Sequence, residues 1–441
     1  MNPKKLIRKF IPGLAVKTLE KGYRKGRGVF WQAWYGFPAK NMRVIAVTGT
    51  NGKSTTCAYI NEVLKAAGYK TAVLTTVFYE IDGDREANLT HLTIDKQSIA
   101  QSFFAKAHRA KADFVVFEVT SHALDQERIM GVPVEIAVIT NLTTEHLDYH
   151  KTIKEYARVK SLLLRDYGAK WAILNYDDEY YDYFRDRSTA KVFSLGKYQE
   201  PAEPFSEKSK QPVAALDASI QSVELSDQGS EAVLSTELKE VQLKTSLLGE
   251  VNIYNASVAA SVGLILGLES KDVEKGIANL SGLDGRLEKV EAGQDFTVLV
   301  DFGITPDAIE KVLTSLKQIA KGKVFIVFGA TGDRDKAKRP LMGEVTAKLA
   351  DRIYLTDDET YTEDPETIRN AVYKGIKKAK AESKTLVIPD RREAIEAALL
   401  KAKAGDIVLL TGIGHEDHRN MGGKKIPWNE VEIAKELLES R

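Results

Sequence analysis

The chain of 441 residues is too long for one ordinary core, and about 150 residues per domain predicts two or three domains. Its 63 basic and 62 acidic residues give a formal charge of +1, which offers no reason to expect a nucleic acid as partner. The single cysteine, Cys57, excludes a disulfide framework and a four-thiolate zinc ribbon. No run of about 18 apolar residues predicts a membrane-spanning helix, and a cytoplasmic protein is expected.

Residues 1–40 combine basic and apolar side chains. The basic set is Lys4, Lys5, Arg8, Lys9, Lys17 and Lys21, and the apolar set is Leu6, Ile7, Phe10, Ile11, Leu14 and Leu19. Such a segment predicts either a helix docked on its own domain, which is favoured, or peripheral contact with an anionic membrane surface. Because charges repeatedly break the apolar stretch, it is unlike a signal peptide.

From residue 43 onward, short β-branched runs alternate with longer helical patterns. The strand-like runs are "RVIAVTG", "KTAVLTT", "DFVVFEVTS", "EIAVITNL" and "KWAILN", and the helical patterns cover 54–67, 95–111 and 152–167. Strands separated by helices predict a parallel sheet covered on both faces. Residues 197–247 change to a polar, alternating pattern, which predicts antiparallel strands attached to the same domain.

A second α/β series follows a helical segment at 254–267. Its predicted strands are 296–301, 323–328, 352–356, 385–388 and 407–411. We therefore divide the chain into a basic segment 1–40, a central domain 41–283 and a C-terminal domain 284–441, with the boundary near 284.

The stretch "VIAVTGTNGKSTT" is a strand that breaks into a glycine-flanked polar loop. The loop residues are Gly49, Thr50, Asn51, Gly52, Lys53, Ser54 and Thr55. Glycines let backbone N–H groups converge on phosphate oxygens, and the following helix and lysine add positive charge. The spacing from Gly49 to Gly52 is shorter than in the usual phosphate-loop pattern, and the alternative is an ordinary turn between strand and helix.

"TGTNGKSTT" resembles the nucleotide loop of the Mur ligase superfamily, ATP-dependent amide ligases of peptidoglycan precursor synthesis that include the folylpolyglutamate synthetases. "FEVTSHALDQERI", "TNLTTEHLDYH", "EYARVKSLLL", "GEVNIYNASVAA", "FGATGDRDKAKRPLMG" and "LTGIGHEDH" resemble the MurE-type ligase, which adds the third amino acid to a UDP-MurNAc-dipeptide. The likeness runs in order from about 41 to 440. It implies an α/β fold, with a P-loop central domain built on a parallel sheet and a C-terminal Rossmann-like α/β domain.

The resemblance implies ATP and two Mg²⁺ ions, with Lys53 in a catalytic role. The expected metal ligands are Ser54, Glu118, His146 and Lys160, the last as a CO₂-derived carbamate. From the residues alone, Glu118 ends an apolar strand, where an open α/β sheet places its ligand site, but it fits a helix cap or an ion pair equally well. A lone lysine on an amphipathic helix is ordinarily solvated surface. The further nucleotide contacts implied by the resemblance are Asn255, near adenine, with Arg286 and Asp301.

Substrate contacts are expected from the resemblance at two sets of positions. These are Thr93, Ser121 and Arg128, and an amino-acid pocket of Arg334, Asp358, Glu359, Gly412 and Glu416. Diaminopimelate ligases usually carry Asp-Asn-Pro-Arg in that pocket, whereas "TDDETYTEDP" has Glu359, Thr360 and Tyr361 in place of the last three. Without the guanidinium clamp on a second carboxylate, lysine or ornithine is favoured over diaminopimelate. Glu359 would meet the cationic side chain, and the alternative is an exposed loop acid.

The chain also departs from the family in three other features. Only forty residues precede the central domain, where the UDP-binding domain would stand, and the expected acceptor is a small-molecule or a lipid-linked muropeptide. Gly303 and Ile304 replace an alanine and a histidine, and Ile413 replaces a lysine. The alternatives left open are a folylpolyglutamate synthetase-like glutamate ligase and a nucleotide-binding homologue that has lost catalysis. A monomer is expected.

Overall fold

The computed structural model describes residues 13–88, 90, 93–197 and 216–441, with side chains from residue 22 onward. The helices are α1 (Gly13–Trp34), α2 (Lys53–Ala66), α3 (Gln97–Arg109), α4 (Ser121–Asp125), α5 (Leu147–His150), α6 (Ile153–Arg165), α7 (Tyr181–Arg185), α8 (Glu250–Ile265), α9 (Ser270–Asn279), α10 (Pro306–Ile319), α11 (Lys338–Leu349), α12 (Pro365–Lys378), α13 (Arg391–Lys401) and α14 (Glu430–Glu439).

Nineteen strands are present among the described residues. They are β1 (Arg43–Thr48), β2 (Thr71–Leu74), β3 (Phe78–Ile81), β4 (Asp84–Ala87), β5 (Phe114–Glu118), β6 (Ile136–Ile139), β7 (Trp171–Asn175), β8 (Lys191–Lys197), β9 (Ala218–Leu225), β10 (Ser230–Thr236), β11 (Glu240–Thr245), β12 (Glu288–Val290), β13 (Thr297–Asp301), β14 (Val324–Phe328), β15 (Arg352–Leu355), β16 (Thr385–Val387), β17 (Ile407–Thr411), β18 (His418–Met421) and β19 (Lys424–Pro427).

A sheet of eleven strands organises residues 13–279, which we call the large-sheet unit. Its order is β11-β10-β9-β8-β7-β6-β1-β5-β2-β3-β4, and the seven strands from β9 to β2 pair in parallel. Antiparallel strands extend both edges. The predicted parallel sheet and the antiparallel strands of the 197–247 segment are therefore confirmed in the described residues, whereas the β3–β4 hairpin was not predicted.

Apolar side chains cover both faces of the large sheet. Along β1, Val44 and Ala46 pack into one core beneath α3 and α6, while Ile45 and Val47 pack into the other beneath α2 and α8. A strand buried on both faces has no reason to alternate apolar and polar residues, so the continuous run is what a covered parallel sheet requires. The carboxyl ends of β1, β5 and β6 therefore meet at one edge.

A second sheet of six strands organises residues 288–439, the small-sheet unit. Its order is β12-β13-β17-β14-β15-β16, with β12 antiparallel and the other five strands parallel. All five strands predicted for the C-terminal series are present. The predicted boundary near 284 lies in the connection between Asn279 and Glu288.

The N-terminal helix α1 is docked on the large-sheet unit. Arg24 Nη1 donates to the Asp125 carbonyl oxygen at 3.2 Å, and Gln32 Nε2 donates to the Met130 carbonyl oxygen at 3.1 Å. The favoured interpretation of residues 1–40 is thus confirmed from residue 13 onward, and the rest of that segment lies outside the described residues. Among the described residues, no helix is long and apolar enough to cross a membrane.

Two glycines allow α11 and α12 to cross closely in the small-sheet unit. A Cβ added at Gly343 would lie 2.2 Å from the carbonyl oxygen of Val372, and one at Gly375 would lie 1.9 Å from that of Pro340. Because each added atom meets backbone rather than a movable side chain, the two helices would have to separate.

Replacing Gly343 or Gly375 with Ala is therefore expected to destabilise the protein by about 1–3 kcal/mol, despite the better helix propensity of alanine. The measurement is the midpoint of urea unfolding. The matched control is Gly282→Ala, where no heavy atom lies within 4 Å of the added Cβ. Equal midpoints for Gly343→Ala and Gly282→Ala would contradict the close crossing.

Candidate active site

The loop between β1 and α2 is shaped by its two glycines. Gly49 has φ 152° and Gly52 has φ 82°, and both values lie in the region that favours glycine. A Cβ at Gly49 would lie 1.9 Å from Thr140 Oγ1, and one at Gly52 would lie 2.5 Å from Asn255 Oδ1. Because α2 begins directly after this turn, its free backbone N–H groups lie at the loop and suit an anion.

Glu118 is the centre of a polar cluster at the carboxyl ends of β1, β2 and β5. Its Oε2 accepts hydrogen bonds from Ser54 Oγ at 2.6 Å and from the Thr76 backbone N–H and hydroxyl at 3.2 and 3.1 Å. Lys53 Nζ lies 3.8 Å from its Oε1 and donates to the Thr50 carbonyl oxygen at 2.9 Å. A hydroxyl and a carboxylate in direct contact are hard oxygen ligands suited to Mg²⁺.

Lys160 is buried, so the solvated-surface alternative is wrong. Its side chain is 1% exposed, and Nζ donates to the Gly49 carbonyl oxygen at 2.7 Å and to Thr48 Oγ1 at 3.2 Å. Burial lowers the pKa of this amine well below its usual value, and the charge of Lys53 lowers it further. The amine therefore lies directly against the loop, in surroundings that disfavour its charged form.

The sequence carried a signal for this burial. The buried positions Tyr156, Ala157, Leu163 and Leu164 of α6 recur at helical spacing, and Lys160 occupies the middle of that stripe. A lysine inside an apolar stripe is more informative than a lysine on a polar face.

His146 lies in the same cavity at the start of α5, with φ 55°. Its pKa is lowered by burial in the cleft and by the neighbouring His122, Lys160 and Lys53. The neutral imidazole keeps a lone pair available for a ligand. The His122 and His146 rings have centroids 5.1 Å apart, so two imidazoles share this side of the cavity.

No group of three His, Cys, Asp or Glu side chains is placed to hold a metal ion by itself within the described residues. A divalent cation at Ser54 and Glu118 would thus take its other ligands from phosphate oxygens and water, as Mg²⁺ commonly does in nucleotide sites.

A cavity of about 1000 Å³ between the two units collects most of the predicted residues. Those lining it are Thr50, Asn51, Gly52, Lys53, Ser54, Thr55, Thr93, Glu118, Arg128, His146, Asn255, Arg286, Asp301, Arg334 and Glu416. The predicted residues outside its lining are Gly49, Ser121, Lys160, Asp358, Glu359 and Gly412. Gly49 and Lys160 contact each other directly behind the loop, and Ser121 Oγ pairs with His150 Nε2 at 2.9 Å.

The residues predicted to contact the nucleotide lie where the two units meet. Arg286 stands over the Phe302 ring at 4.7 Å from its centre, and burial lowers the pKa of its guanidinium. Asp301 Oδ1 accepts from the Leu287 N–H at 3.1 Å and Oδ2 from the Gly303 N–H at 2.8 Å. Both oxygens of Asp301 thus fix the backbone turn that carries Arg286 and Phe302.

Three positions that depart from the family pattern, Gly303, Ile304 and Ile413, differ in their surroundings. A Cβ at Gly303 would lie 2.7 Å from Asp301 Oδ2, so the missing side chain leaves room for that carboxylate. Ile304 lines the cavity. Ile413 is buried and does not line it, so an apolar residue suits that position without opening a gap in the site.

Glu416 and Glu359 form an acidic corner at the other end of the cavity. Burial, followed by the charges of Glu359 and Asp358, raises the pKa of Glu416 to about 8. Glu359 is 8% exposed, so the exposed-loop alternative is wrong. Its carboxylate accepts from the Asn420 N–H at 3.0 Å and from the Tyr361 hydroxyl at 3.2 Å. Glu416 therefore faces the cavity, and Glu359 supports the wall behind it.

Two buried arginines hold this wall from behind, and neither was singled out from the sequence. Arg391 pairs with Glu430, with Nη2 2.5 Å from Oε1, and Nη2 also donates to the Thr411 carbonyl oxygen at 3.0 Å. Arg419 Nη2 donates to the Asp358 carbonyl oxygen at 2.9 Å. A Cβ at Gly412 would lie 2.4 Å from Asp358 Oδ2, so this glycine permits the tight packing.

Comparison with known proteins gives two family matches along the chain. The Mur ligase middle domain matches residues 47–263, and the Mur ligase, glutamate ligase domain, matches residues 285–414. The UDP-N-acetylmuramoyl-L-alanyl-D-glutamate–2,6-diaminopimelate ligase of Bacillus licheniformis is 35% identical over 422 residues, covering 94% of this chain and 82% of that protein. The ligase of the same name from Aquifex aeolicus is 34% identical over 415 residues, covering 94% and 81%.

Solved structures are similar as well. A structure of a ligase of that name has a TM-score of 0.63 at 30% identity, covering 91% of this chain and 79% of the other. Mycobacterium tuberculosis folylpolyglutamate synthase, complexed with ADP and AMPPCP, has a TM-score of 0.68 at 18% identity, covering 90% and 95%, which shows a shared fold alone. With relatives at 35% identity along nearly its full length, the chain belongs to the Mur ligase family.

Proposed function

We propose that the protein is an ATP-dependent acid–amino-acid ligase that adds an amino acid to a muropeptide carboxylate in peptidoglycan precursor synthesis. One observation carries this proposal: the phosphate loop, with its Ser54–Glu118 pair, opens into the same cavity as the acidic corner of Glu416. A carboxylate held between them would lie between a phosphoryl donor and an incoming amine.

The reaction needs charge neutralisation more than a covalent catalyst. A carboxylate oxygen of the acceptor attacks the γ-phosphorus of ATP and ADP leaves; the amine then attacks the acyl carbon of the acyl phosphate, and inorganic phosphate leaves with loss of a proton. Lys53 and the start of α2 bind phosphate oxygens, while Ser54 and Glu118 hold a cation. Mg²⁺ bound there would neutralise charge on the transferred phosphoryl group.

A second cation site is proposed at His146 and Lys160. Lysine itself repels a cation, but a neutral amine reacts with CO₂ to give a carbamate and a proton, which replaces a neutral group with an anion. The lowered pKa and the burial of Lys160 favour that reaction. Because the amine contacts Gly49 and Thr48, a carbamate formed on it would lie next to the phosphate loop.

For the incoming amino acid we propose lysine or ornithine. The printed names of the relatives specify 2,6-diaminopimelate. In this chain Tyr361 stands where the resemblance expects the arginine that grips the second carboxylate of diaminopimelate. Arg334, 5.6 Å from the centre of the Tyr361 ring, would bind the α-carboxylate, and Glu416 would face the cationic end.

The acceptor is proposed to lie near Thr93 and Arg128, which line the cavity on the large-sheet side. Arg128 Nη2 donates to Gln126 Oε1 at 2.8 Å, and this bond orients the guanidinium. The acceptor is either a soluble or a lipid-linked muropeptide. Glutamate transfer to a folate, or nucleotide binding without turnover, would overturn the proposed function.

Replacing Lys160 with Ala is expected to lower ADP formation with muropeptide and amino acid by on the order of 100-fold or more, because the second cation loses its anionic ligand. Lys160→Arg should be equally impaired, since arginine keeps a charge but cannot become this carbamate. ¹³C-bicarbonate should give a carbamate NMR signal in the parent protein that both variants lack. Lys154→Ala, on the exposed face of the same helix, is the control. An active Lys160→Arg variant would refute the carbamate.

The choice of amino acid is measured by ADP release with a panel of candidates. Lysine or ornithine should outperform diaminopimelate, because no guanidinium occupies position 361. Tyr361→Arg should shift the preference towards diaminopimelate by adding a bidentate partner for its second carboxylate. Tyr361→Phe, which removes the hydroxyl bonded to Glu359 without adding charge, is the control. A parent enzyme that prefers diaminopimelate would exclude this assignment.

Lysine affinity is expected to depend on pH through Glu416. The raised pKa of about 8 leaves this carboxyl neutral at pH 7 and anionic at pH 9, so the affinity for a cationic ligand should rise about tenfold over that range. Calorimetric titration with lysine measures the rise, and Glu416→Gln should remove it. Glu366→Gln, at an exposed position outside the cavity lining, should leave it unchanged. The idea fails if Glu416→Gln keeps the same pH profile.

A further inference from the structure

Charge is distributed unevenly along the chain. Residues 1–40 contain ten Lys or Arg residues and one acidic residue, Glu20, a net charge of +9. The remaining residues, 41–441, contain 53 basic and 61 acidic residues, a net charge of −8. The near-neutral total therefore combines a strongly basic N-terminal segment with an acidic remainder of the chain. Balancing the acidic remainder does not require the positive charge to be concentrated in the first forty residues.

From residue 22 onward, where its side chains are described, the helix α1 contacts the body through one side. Arg27 Nε donates to Gln97 Oε1 at 2.9 Å, and Gln97 Nε2 donates back to the Arg24 carbonyl oxygen at 2.9 Å. Gly28 is buried close to the sulfur of Met130. Together with the Arg24 and Gln32 bonds, these contacts fix the helix and decide which side faces outward.

The outward side carries aromatic rings. Tyr23 is 68% exposed, Phe30 53%, Trp34 68% and Phe37, just beyond the helix, 49%. We call these four residues the aromatic stripe; the spacings of seven and four residues place Tyr23, Phe30 and Trp34 on one side of the helix. Phe30 and Trp34 stack with centroids 5.9 Å apart. Five of the twelve large exposed hydrophobic residues in the described chain lie between 23 and 37, so this is a cluster rather than ordinary scatter.

Exposed basic residues flank the stripe. Lys25, Arg27 and Lys40 are exposed, and Arg27 also makes the Gln97 contact given above. Residues 1–12, which precede the helix, add four basic and four apolar side chains by sequence. Tyr and Trp rings at an interface, beside lysine and arginine, form the composition that binds the headgroup region of an anionic membrane. An acidic protein partner would account for the basic residues. It would not account for the exposed aromatic rings beside them.

We propose that α1 docks the protein on an anionic lipid bilayer, with the aromatic stripe in the headgroup region. The docked side of α1 contacts Gln97 and the Asp125–Met130 segment, and Ile94 and Arg128 next to them line the cavity. The end of the cavity assigned above to the acceptor therefore lies beneath the helix that carries the aromatic stripe. This placement, which rests on the proposed function, favours a lipid-linked acceptor; the docking itself does not depend on it.

The test is sedimentation of the full chain with vesicles of phosphatidylcholine containing 30 mol% phosphatidylglycerol, compared with phosphatidylcholine alone. The bound fraction should be high only with the anionic vesicles and should fall as salt is raised. Phe30→Ser combined with Trp34→Ser should weaken binding at least tenfold. The control is Leu238→Ser, which removes an apolar side chain that is 89% exposed from the β10–β11 turn. Circular dichroism checks that each variant is folded.

Three results would overturn the docking proposal. These are no binding to anionic vesicles, equal binding by the double variant and the Leu238→Ser control, and a parent dimer that the double variant dissociates without any vesicle binding. The last result would identify a second copy of the chain as the occupant of the stripe. ADP formation with a soluble muropeptide should be unchanged in the double variant, so a failure of docking and a failure of the proposed ligase activity are distinguishable.

Discussion

The candidate site depends on one interaction, the contact of the buried Lys160 amine with the carbonyl oxygen of Gly49 at 2.7 Å. A charged ammonium in this position would be costly, because burial removes its water and Lys53 repels it. The carbamate proposed above would replace this unfavourable cation with an anion. To bring the Lys160 side chain to the loop, α6 must pack with one particular face towards the large sheet. The packing of the core therefore positions a residue of the candidate site.

The second requirement is a shared wall. Neither unit completes the cavity: the large sheet contributes the phosphate loop and Glu118, and the small sheet contributes Arg334 and Glu416. Cross-unit bonds hold the two walls together. Lys321 Nζ lies 2.7 Å from Asp227 Oδ2, and Lys289 Nζ donates to the Asp227 carbonyl oxygen at 2.8 Å. A ligand that fills this space reaches both units and excludes water from its centre.

The sequence predicted the parts of the fold that depend on local pattern. Buried β-branched runs gave the parallel strands of both sheets, because a doubly covered strand is apolar throughout. Two strands were missed for the same reason: β4 and β19 are exposed along their whole length and carry no such pattern. In the site, the glycines and the lysine of the loop could be recognised from the local sequence. Thr76 could not, since it contacts Glu118 only after β2 and β5 pair, and the burial of Glu359 is set by residues about sixty positions away.

The phosphate loop has one more contact, which reaches the opposite unit. The Asn51 backbone N–H donates to Asn141 Oδ1 at 2.9 Å, while its side-chain amide donates to Asp307 Oδ2, in the first turn of α10, at 3.0 Å. One residue is thus tied to the loop by its backbone and to the other unit by its side chain. A displacement of Asn51 would therefore act on α10 through this bond, so the loop and the small-sheet unit cannot move independently while it is intact.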